Sequence, residues 1–382
     1  MGGARAATSR ARTPTRLNSN AVAMKILVIS LAGIGDTLLA TPLIRELRAN
    51  FPEAQIDALV LWSGSKDLLE GSPHLNAIYQ RNLLKVSKSE ALRFLNPLRR
   101  AHYDVSINTH PQSRTHYRMT ARFVGARTRI SHEYESFGQL DRWLVNRTLP
   151  QDYQKHTVEN NLDLLALVDK KPMLATRALE VVLTDAEREW ADSFLQEQKI
   201  TGSQRLGLHV GSGGTKNLRL KRWPLHHYLA LLKQVRQKWP DLAILLFGGP
   251  EEESDLKKIR SELDSPLVIR VESKGLRQAG ALIQRCTAFL SVDTALMHLA
   301  AAVGAPGQLV IEAPTLNKTN EPYGNPYTLI RNPMVAGKNL EYYRYDGQGI
   351  KGTHSDLIRC MESVSPQAVL EELGKVLERK DL

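Results

Sequence analysis

From Lys25 onward, short runs rich in Val, Ile and Leu alternate with longer stretches in which apolar residues recur every three or four positions. The first pattern is that of buried strands and the second that of amphipathic helices. Their alternation is the mark of βαβ units on a parallel sheet. Strands are expected at 25–31, 56–61, 77–79 and 105–108, with helices over 37–50, 89–100 and 114–124. The pattern then restarts. Strands fit 206–210, 243–247, 267–271, 289–292 and 308–311, and helices open near Thr184, Pro224, Glu251, Gly275 and Thr294. A last helix is marked by Ser365 as cap, Pro366 at the first helical position and an apolar face of Val369, Leu370, Leu373, Val376 and Leu377.

Two such halves predict an α/β protein with two Rossmann-like domains and a ligand cleft at the carboxyl ends of their strands. Length agrees, since 382 residues with 42% hydrophobic content exceed what one core usually serves. The polar, basic stretch 169–176 reads as the connection, giving an N-terminal domain over 24–175 and a C-terminal domain over 176–382. Residues 1–23 hold Arg5, Arg10, Arg12 and Arg16 and no acid, a composition that cannot build a core. They read as a disordered tail, similar in composition to a transit peptide but more simply a harmless extension ahead of the first strand. The longest apolar run, 295–305, carries His298 and falls short of the roughly 18–20 residues of a membrane-spanning helix. Cys286 and Cys360 have neither CxxC nor metal spacing, which fits a reducing, cytoplasmic setting. The net charge of +11 favours an anionic partner without choosing among nucleic acid, a membrane surface and a phosphorylated ligand.

Candidate chemistry lies at three strand–helix junctions. Gly33-Ile-Gly35 after the first strand is a partial dinucleotide fingerprint, with Asp57 placed roughly where a ribose-binding acid would lie, but Leu38 occupies the position that needs Gly or Ala. By spacing alone, Asp36 is first of all a helix N-cap. The stretch from Leu208 to Lys216 is a strand running into a glycine-rich loop, and with Lys221 before the next helix it forms a potential diphosphate cradle, although without the GxxxxGK[ST] spacing of a P-loop. After Ser291, Asp293 and Thr294 open a small-residue helix whose first turn carries His298, so polar groups converge on one helix N-terminus. Either Asp293 or Thr294 can be the cap.

The segments Gly33-Ile-Gly-Asp-Thr-Leu-Leu-Ala-Thr-Pro42, Lys221-Arg-Trp-Pro224, Asp293-Thr-x-x-x-His-Leu-Ala-Ala-Ala-x-Gly-x-Pro306 and Cys360-Met-Glu-Ser-Val-Ser-Pro-Gln-Ala-Val369 together resemble the glycosyltransferase family that includes bacterial lipopolysaccharide heptosyltransferases. The resemblance spans about 24–377. It implies the two-domain GT-B fold and an inverting, metal-independent transfer from a donor such as ADP-heptose, with no cofactor. It also implies that Asp36 is the general base that deprotonates the acceptor hydroxyl. Lys221 then neutralises the leaving diphosphate, Ser212 and Thr215 donate to phosphate oxygens, and Asp293, Thr294 and His298 belong to the donor-binding helix. The lack of a DxD motif agrees with stabilisation by cations and helix amides instead of a metal.

Two departures bear on the donor: Ala295 stands where the family usually has glycine, and Glu312 lies in a segment that is usually apolar-Phe-Gly-Pro-Thr. On the acceptor side, Arg114, Arg118 and Arg122 fall at successive i, i+4 positions of one predicted helix and are expected to form a basic face. The resemblance implies an anionic lipid-linked oligosaccharide acceptor at the inner membrane, where the basic stretch 85–100 could lie on headgroups, and no nucleic-acid partner. A nicotinamide-dependent oxidoreductase and a catalytically silent nucleotide-sugar or glycan-binding protein are the competing classes.

Overall fold

The computed structural model describes residues 23–200, 202, 204–213, 218–335 and 351–379; the readings made for residues 1–22 and for Thr215 lie outside them. Twelve described strands form two six-stranded parallel sheets. The first holds β1 (Lys25–Ser30), β2 (Gln55–Val60), β3 (Ala77–Gln80), β4 (Val105–Asn108), β5 (Thr128–Glu133) and β6 (Arg147–Pro150), in the order β3-β2-β1-β4-β5-β6. The second holds β7 (Arg205–His209), β8 (Ala243–Phe247), β9 (Val268–Arg270), β10 (Ala288–Ser291), β11 (Gln308–Ile311) and β12 (Tyr327–Ile330), in the order β12-β11-β10-β7-β8-β9. Renumbered within its own half, each sheet has the same Rossmann order. In each, the order reverses beside its first strand, between β1 and β4 and between β7 and β10, and a ligand crevice opens outside the carboxyl ends at such a point.

The helices of the first half are α1 (Ile34–Leu38), α2 (Thr41–Asn50), α3 (Ser63–Leu69), α4 (Lys88–Arg100), α5 (Thr115–Val124), α6 (Gln139–Leu144) and α7 (Thr157–Asp163). Those of the second are α8 (Asp185–Glu197), α9 (Leu225–Lys238), α10 (Glu253–Leu263), α11 (Leu276–Ile283), α12 (Ala295–Ala302), α13 (His354–Glu362) and α14 (Pro366–Leu377). The two-residue period of β1 sorts the core. Ile26 and Val28 pack with Leu43 and Leu47 of α2 and Val158 and Leu162 of α7, whereas Leu27 and Ile29 face Leu95 and Leu98 of α4 and Ala121 and Val124 of α5. Ser365 caps α14 as its sequence requires, its hydroxyl accepting from the Ala368 amide, and Val369, Leu373, Val376 and Leu377 are buried.

The helix expected over 37–50 is two helices. Pro42 brings no amide proton and sits in the first turn of α2, so the chain breaks at Leu39–Ala40 and restarts, with the Thr41 hydroxyl donating to the Leu38 carbonyl at 2.7 Å. The two halves touch directly. The Asp67 carboxylate of α3 accepts from the Leu276 and Arg277 amides at the start of α11, at 2.5 and 3.1 Å. Elsewhere the Thr157 amide donates to the Thr319 carbonyl at 2.8 Å, and the Tyr323 hydroxyl bonds Glu159.

Candidate active site

Four loops leave the carboxyl ends of the strands at the two reversal points, and they carry Asp36 after β1, His110 after β4, Ser212 after β7 and Asp293 after β10. Asp36 is the third residue of the short helix α1, not its N-cap. Its Oδ2 accepts from the Gly33 amide at 2.6 Å, closing the first turn on itself. Gly33 and Gly35 have separate spatial reasons. A Cβ on Gly33 would meet Asp36 Oδ2 at 2.9 Å, and one on Gly35 would meet the His298 ring at 2.7 Å. The Gly-x-Gly pair therefore lets the carboxylate fold back and lets α1 approach α12 of the other half; a pyrophosphate turn is not needed to explain it.

On the opposite side Thr294 is the cap of α12, its hydroxyl accepting from the Met297 amide at 3.3 Å, which settles the choice between Thr294 and Asp293. Asp293 is free for other partners. It is buried, and its Oδ2 receives Lys221 Nζ at 3.1 Å and the Thr315 hydroxyl at 2.6 Å. Thr294 also lies 3.3 Å from Nδ1 of buried His209. His298 is buried beside Gly35, with no hydrogen-bond partner on Nδ1 among the described residues.

Burial pushes the Asp36 carboxyl up from 3.8 to about 6; the Gly33 amide opposes this, the Asp293 charge adds to it, and Lys221 partly offsets it. Asp36 thus senses charges that belong to the other half of the chain. For Asp293, burial acts against ionisation, but the Lys221 charge, the Thr315 hydroxyl and His298 outweigh it and hold the carboxyl below its ordinary range. Burial lowers His298 to about 4 despite Asp293 nearby, so its imidazole is neutral near pH 7. The cleft therefore presents a basic carboxylate on one wall. On the other it presents a cation, a neutral imidazole and a helix N-terminus, the last of which attracts anions. Among the described residues, one trio of metal-type ligands converges, His226, His227 and Glu362, within 4.8 Å of one another, and none of these cleft residues belongs to it.

Several expectations need correction. Arg118 does not contribute to an exposed basic face. It is fully buried, donating to Asp141 Oδ1 at 2.6 Å and to the Gln112 and Ser113 carbonyls at 3.0 Å, with its guanidinium over Tyr134 and Phe137. A 3.6-residue period places i+4 neighbours on one side of a helix, and here that side turns inward at Arg118. Arg122 is exposed but stacks 4.7 Å over Trp143, and Arg114 is the N-cap residue of α5. The Ser212 hydroxyl is taken up by the Leu218 carbonyl at 2.9 Å, so it shapes the loop that carries Lys221. Asp57 is the third residue of β2, fully buried, accepting from Tyr103 and Gln55 at 2.6 and 2.8 Å; it is not at the strand end where a ribose acid must stand. Of the other acids in this half, Asp104 accepts from the Lys25 amide at 2.9 Å at the amino end of the sheet, away from the cleft. Glu312 is turned to the Asn332 amide at 2.7 Å.

Sequence reasoning missed Thr315, His209 and the Arg222–Glu252 pair, whose 2.6 Å bond and contact with the Ser212 carbonyl at 2.9 Å brace the loop after β7. Thr315 stood in the same segment as Glu312, whose departure from the apolar-Phe-Gly-Pro-Thr pattern was already noted; the others had no local signal, because their partners are 30 to 85 residues away.

Comparison with known proteins gives the family and the fold. Residues 91–346 match glycosyltransferase family 9 (heptosyltransferase). The chain is 26% identical over 375 residues to lipooligosaccharide heptosyltransferase 2 of Haemophilus influenzae, covering 93% of this chain and 100% of that one. It is 27% identical over 376 residues to lipopolysaccharide heptosyltransferase 2 of Escherichia coli K12, covering 94% and 100%. The solved structure of the E. coli ADP-heptose lipopolysaccharide heptosyltransferase II superposes with a TM-score of 0.70 at 22% identity over 94% of this chain and 100% of that one. The E. coli heptosyltransferase WaaC bound to ADP-2-deoxy-2-fluoro heptose gives 0.66 at 18% over 92% and 99%. These likenesses show the GT-B fold, and with the match over two-thirds of its length the chain belongs to glycosyltransferase family 9, the heptosyltransferases.

Proposed function

We propose that this enzyme is an inverting, metal-independent heptosyltransferase that moves a heptose from ADP-heptose to an anionic, lipid-linked core sugar while peripheral to a membrane surface. The observation that carries the reading is the pairing of Asp36, raised to about 6, with Lys221 and the start of α12 across one cleft. A carboxylate of that basicity is largely ionised near neutral pH and still takes a proton from a hydroxyl as the hydroxyl attacks the anomeric carbon. Oδ2 is held by the Gly33 amide, which leaves Oδ1 to face the acceptor.

Departure of the nucleoside diphosphate builds negative charge. Lys221 answers it by leaving Asp293 for the phosphate, aided by the amides at the start of α12, where Thr294 fixes the first turn. That cationic wall supplies what a metal ion supplies in other transferases, and Asp293, once released, accepts from donor hydroxyls with neutral His298 beside it. Ser212 orders the loop, and Arg114 stands at the cleft end of α5 to meet acceptor anions. The similar proteins are named for ADP-heptose and lipopolysaccharide, which supports this choice of donor and acceptor.

Calorimetric titration with ADP-heptose and with NAD, followed by turnover with a lipid A–core acceptor, separates the classes. Binding of ADP-heptose with acceptor-dependent ADP release supports the proposal. NAD binding in its place would support the oxidoreductase, and donor binding without turnover the silent binding protein.

A further inference from the structure

Among the described residues eight large apolar side chains are exposed, and four of them lie on one layer of helices, Leu92 on α4, Met119 on α5 and Leu140 and Trp143 on α6, with Leu84 in the loop that leads into α4. Helices α4, α5 and α6 pack side by side to make that layer over one face of the first sheet. Each helix divides the same way. In α4, Leu95 and Leu98 turn to the core while Arg93 and Arg100 turn outward, with Lys88 and Leu92 exposed at the flank. In α5, Arg118, Ala121 and Val124 turn inward while Met119 and Arg122 turn out, and in α6 Asp141 and Leu144 turn inward while Leu140 and Trp143 turn out. The layer is tied laterally by Arg99 5.5 Å over Phe123 and Arg122 4.7 Å over Trp143.

Residues 81–146 hold twelve Lys and Arg against five Asp and Glu. Of those acids, Asp141 is buried against Arg118 and Asp104 holds the Lys25 amide, while Glu90 caps α4 at the surface beside Arg81. The outward charge that remains is predominantly basic. Single apolar side chains separated by long cations do not make the dry, Lys-poor centre of a protein interface. They do match a bilayer headgroup layer, where apolar tips and a Trp enter, and Lys and Arg stems lie flat with their charges on phosphates.

We infer that the outer face of α4, α5 and α6 docks on the anionic surface of a phospholipid bilayer. This deepens the proposed function and rests on its lipid-linked acceptor. Helices that follow parallel strands begin at the carboxyl ends, so α4 and α5 start at the same end of the sheet as Asp36. Docking by this layer brings the cleft mouth to the headgroups. The acceptor sugar can then reach Asp36 while its lipid stays in the bilayer.

The test is co-sedimentation of the full chain with phosphatidylglycerol-rich vesicles and with pure phosphatidylcholine vesicles, for wild type, Lys88→Glu/Arg93→Glu and Leu92→Ser/Trp143→Ser. Wild type should bind the anionic vesicles selectively and release them with salt. With each basic residue near such a surface contributing about fivefold, the charge-reversed pair should bind at least about 25-fold more weakly. The apolar pair should lose about tenfold or more. Unchanged thermal midpoints and unchanged ADP release with a delipidated, water-soluble acceptor would assign both losses to docking. Equal vesicle binding by all three proteins overturns the inference. So does a loss of soluble-acceptor turnover at unaltered vesicle binding, which would make the face an acceptor site, or binding of RNA with no binding of anionic vesicles. The vesicle measurement stands even if no heptose transfer is found.

Discussion

Replacing Asp36 with Asn should make the protein more stable and nearly inactive. In the folded chain the carboxyl is raised from 3.8 to about 6, chiefly by burial. At 1.36 kcal/mol per pH unit, ionising it in place costs on the order of 3 kcal/mol; residual solvent contact reduces the usable figure to about 1–3 kcal/mol. The sign follows from the direction of the shift. The favourable linkage is complete below 3.8, where the carboxyl is protonated folded and unfolded, and it is lost as pH rises through about 6. An amide carries no charge at either end of that window, and its oxygen can still accept from Gly33. The variant should therefore exceed wild type by about 1–3 kcal/mol at about pH 8, with the gain vanishing towards about pH 4. Over the same change, turnover should fall by about 10²–10⁴, the usual loss with a general base. Urea unfolding at the two pH values, beside steady-state ADP release, measures both. A variant no more stable at high pH, or a gain that does not shrink on acidification, would refute the desolvated carboxylate; wild-type turnover would refute the base, leaving His110 as the next residue to test.

Gly35→Ala should lower kcat/KM by more than about tenfold and cost about 1–3 kcal/mol in urea unfolding, because the new methyl meets the buried His298 ring at 2.7 Å; wild-type kinetics would mean that α1 and α12 need not approach this closely. Arg118→Ala should destabilise by about 3–5 kcal/mol by stranding the buried Asp141 carboxylate. If unfolding were unchanged and only the acceptor KM rose, the acceptor role read from helical spacing would be restored. Lys221→Ala should reduce kcat by about 10²–10³ and weaken ADP-heptose binding in calorimetry, and unaltered values would remove it from the diphosphate site.

The sequence carried both sheets and most of the cleft, because strands buried on two faces are nearly pure apolar runs and the site residues follow them directly. Ala243–Phe247 and Gln308–Ile311 were legible to the residue. The strands it missed, β5, β6 and β12, lie towards sheet edges, where Arg129, Glu133, Arg147 and Tyr327 replace the apolar signal. Asp36 was legible as a helix-start acid, but its capping position depended on where a five-residue helix began. The failure at Arg118 has a different cause. Spacing says which residues share a helix face, not which face turns inward, and Arg118 is buried because Asp141 and two carbonyls wait for it there. The Lys221–Asp293–Thr315 contact joins residues up to 94 positions apart in sequence, beyond any local pattern.

The most direct measurement of the central claim is the initial rate of ADP release from ADP-heptose with a lipid-linked core acceptor, in excess EDTA, across about pH 4.5 to 8.5. Wild type should keep its full rate without free divalent metal. Its kcat/KM should rise with unit slope below about pH 6 and level off above it, as Asp36 ionises; Asp36→Asn should show neither the rate nor the inflection. An EDTA loss restored by Mg²⁺ or Mn²⁺, or the same inflection surviving in Asp36→Asn, would contradict the account.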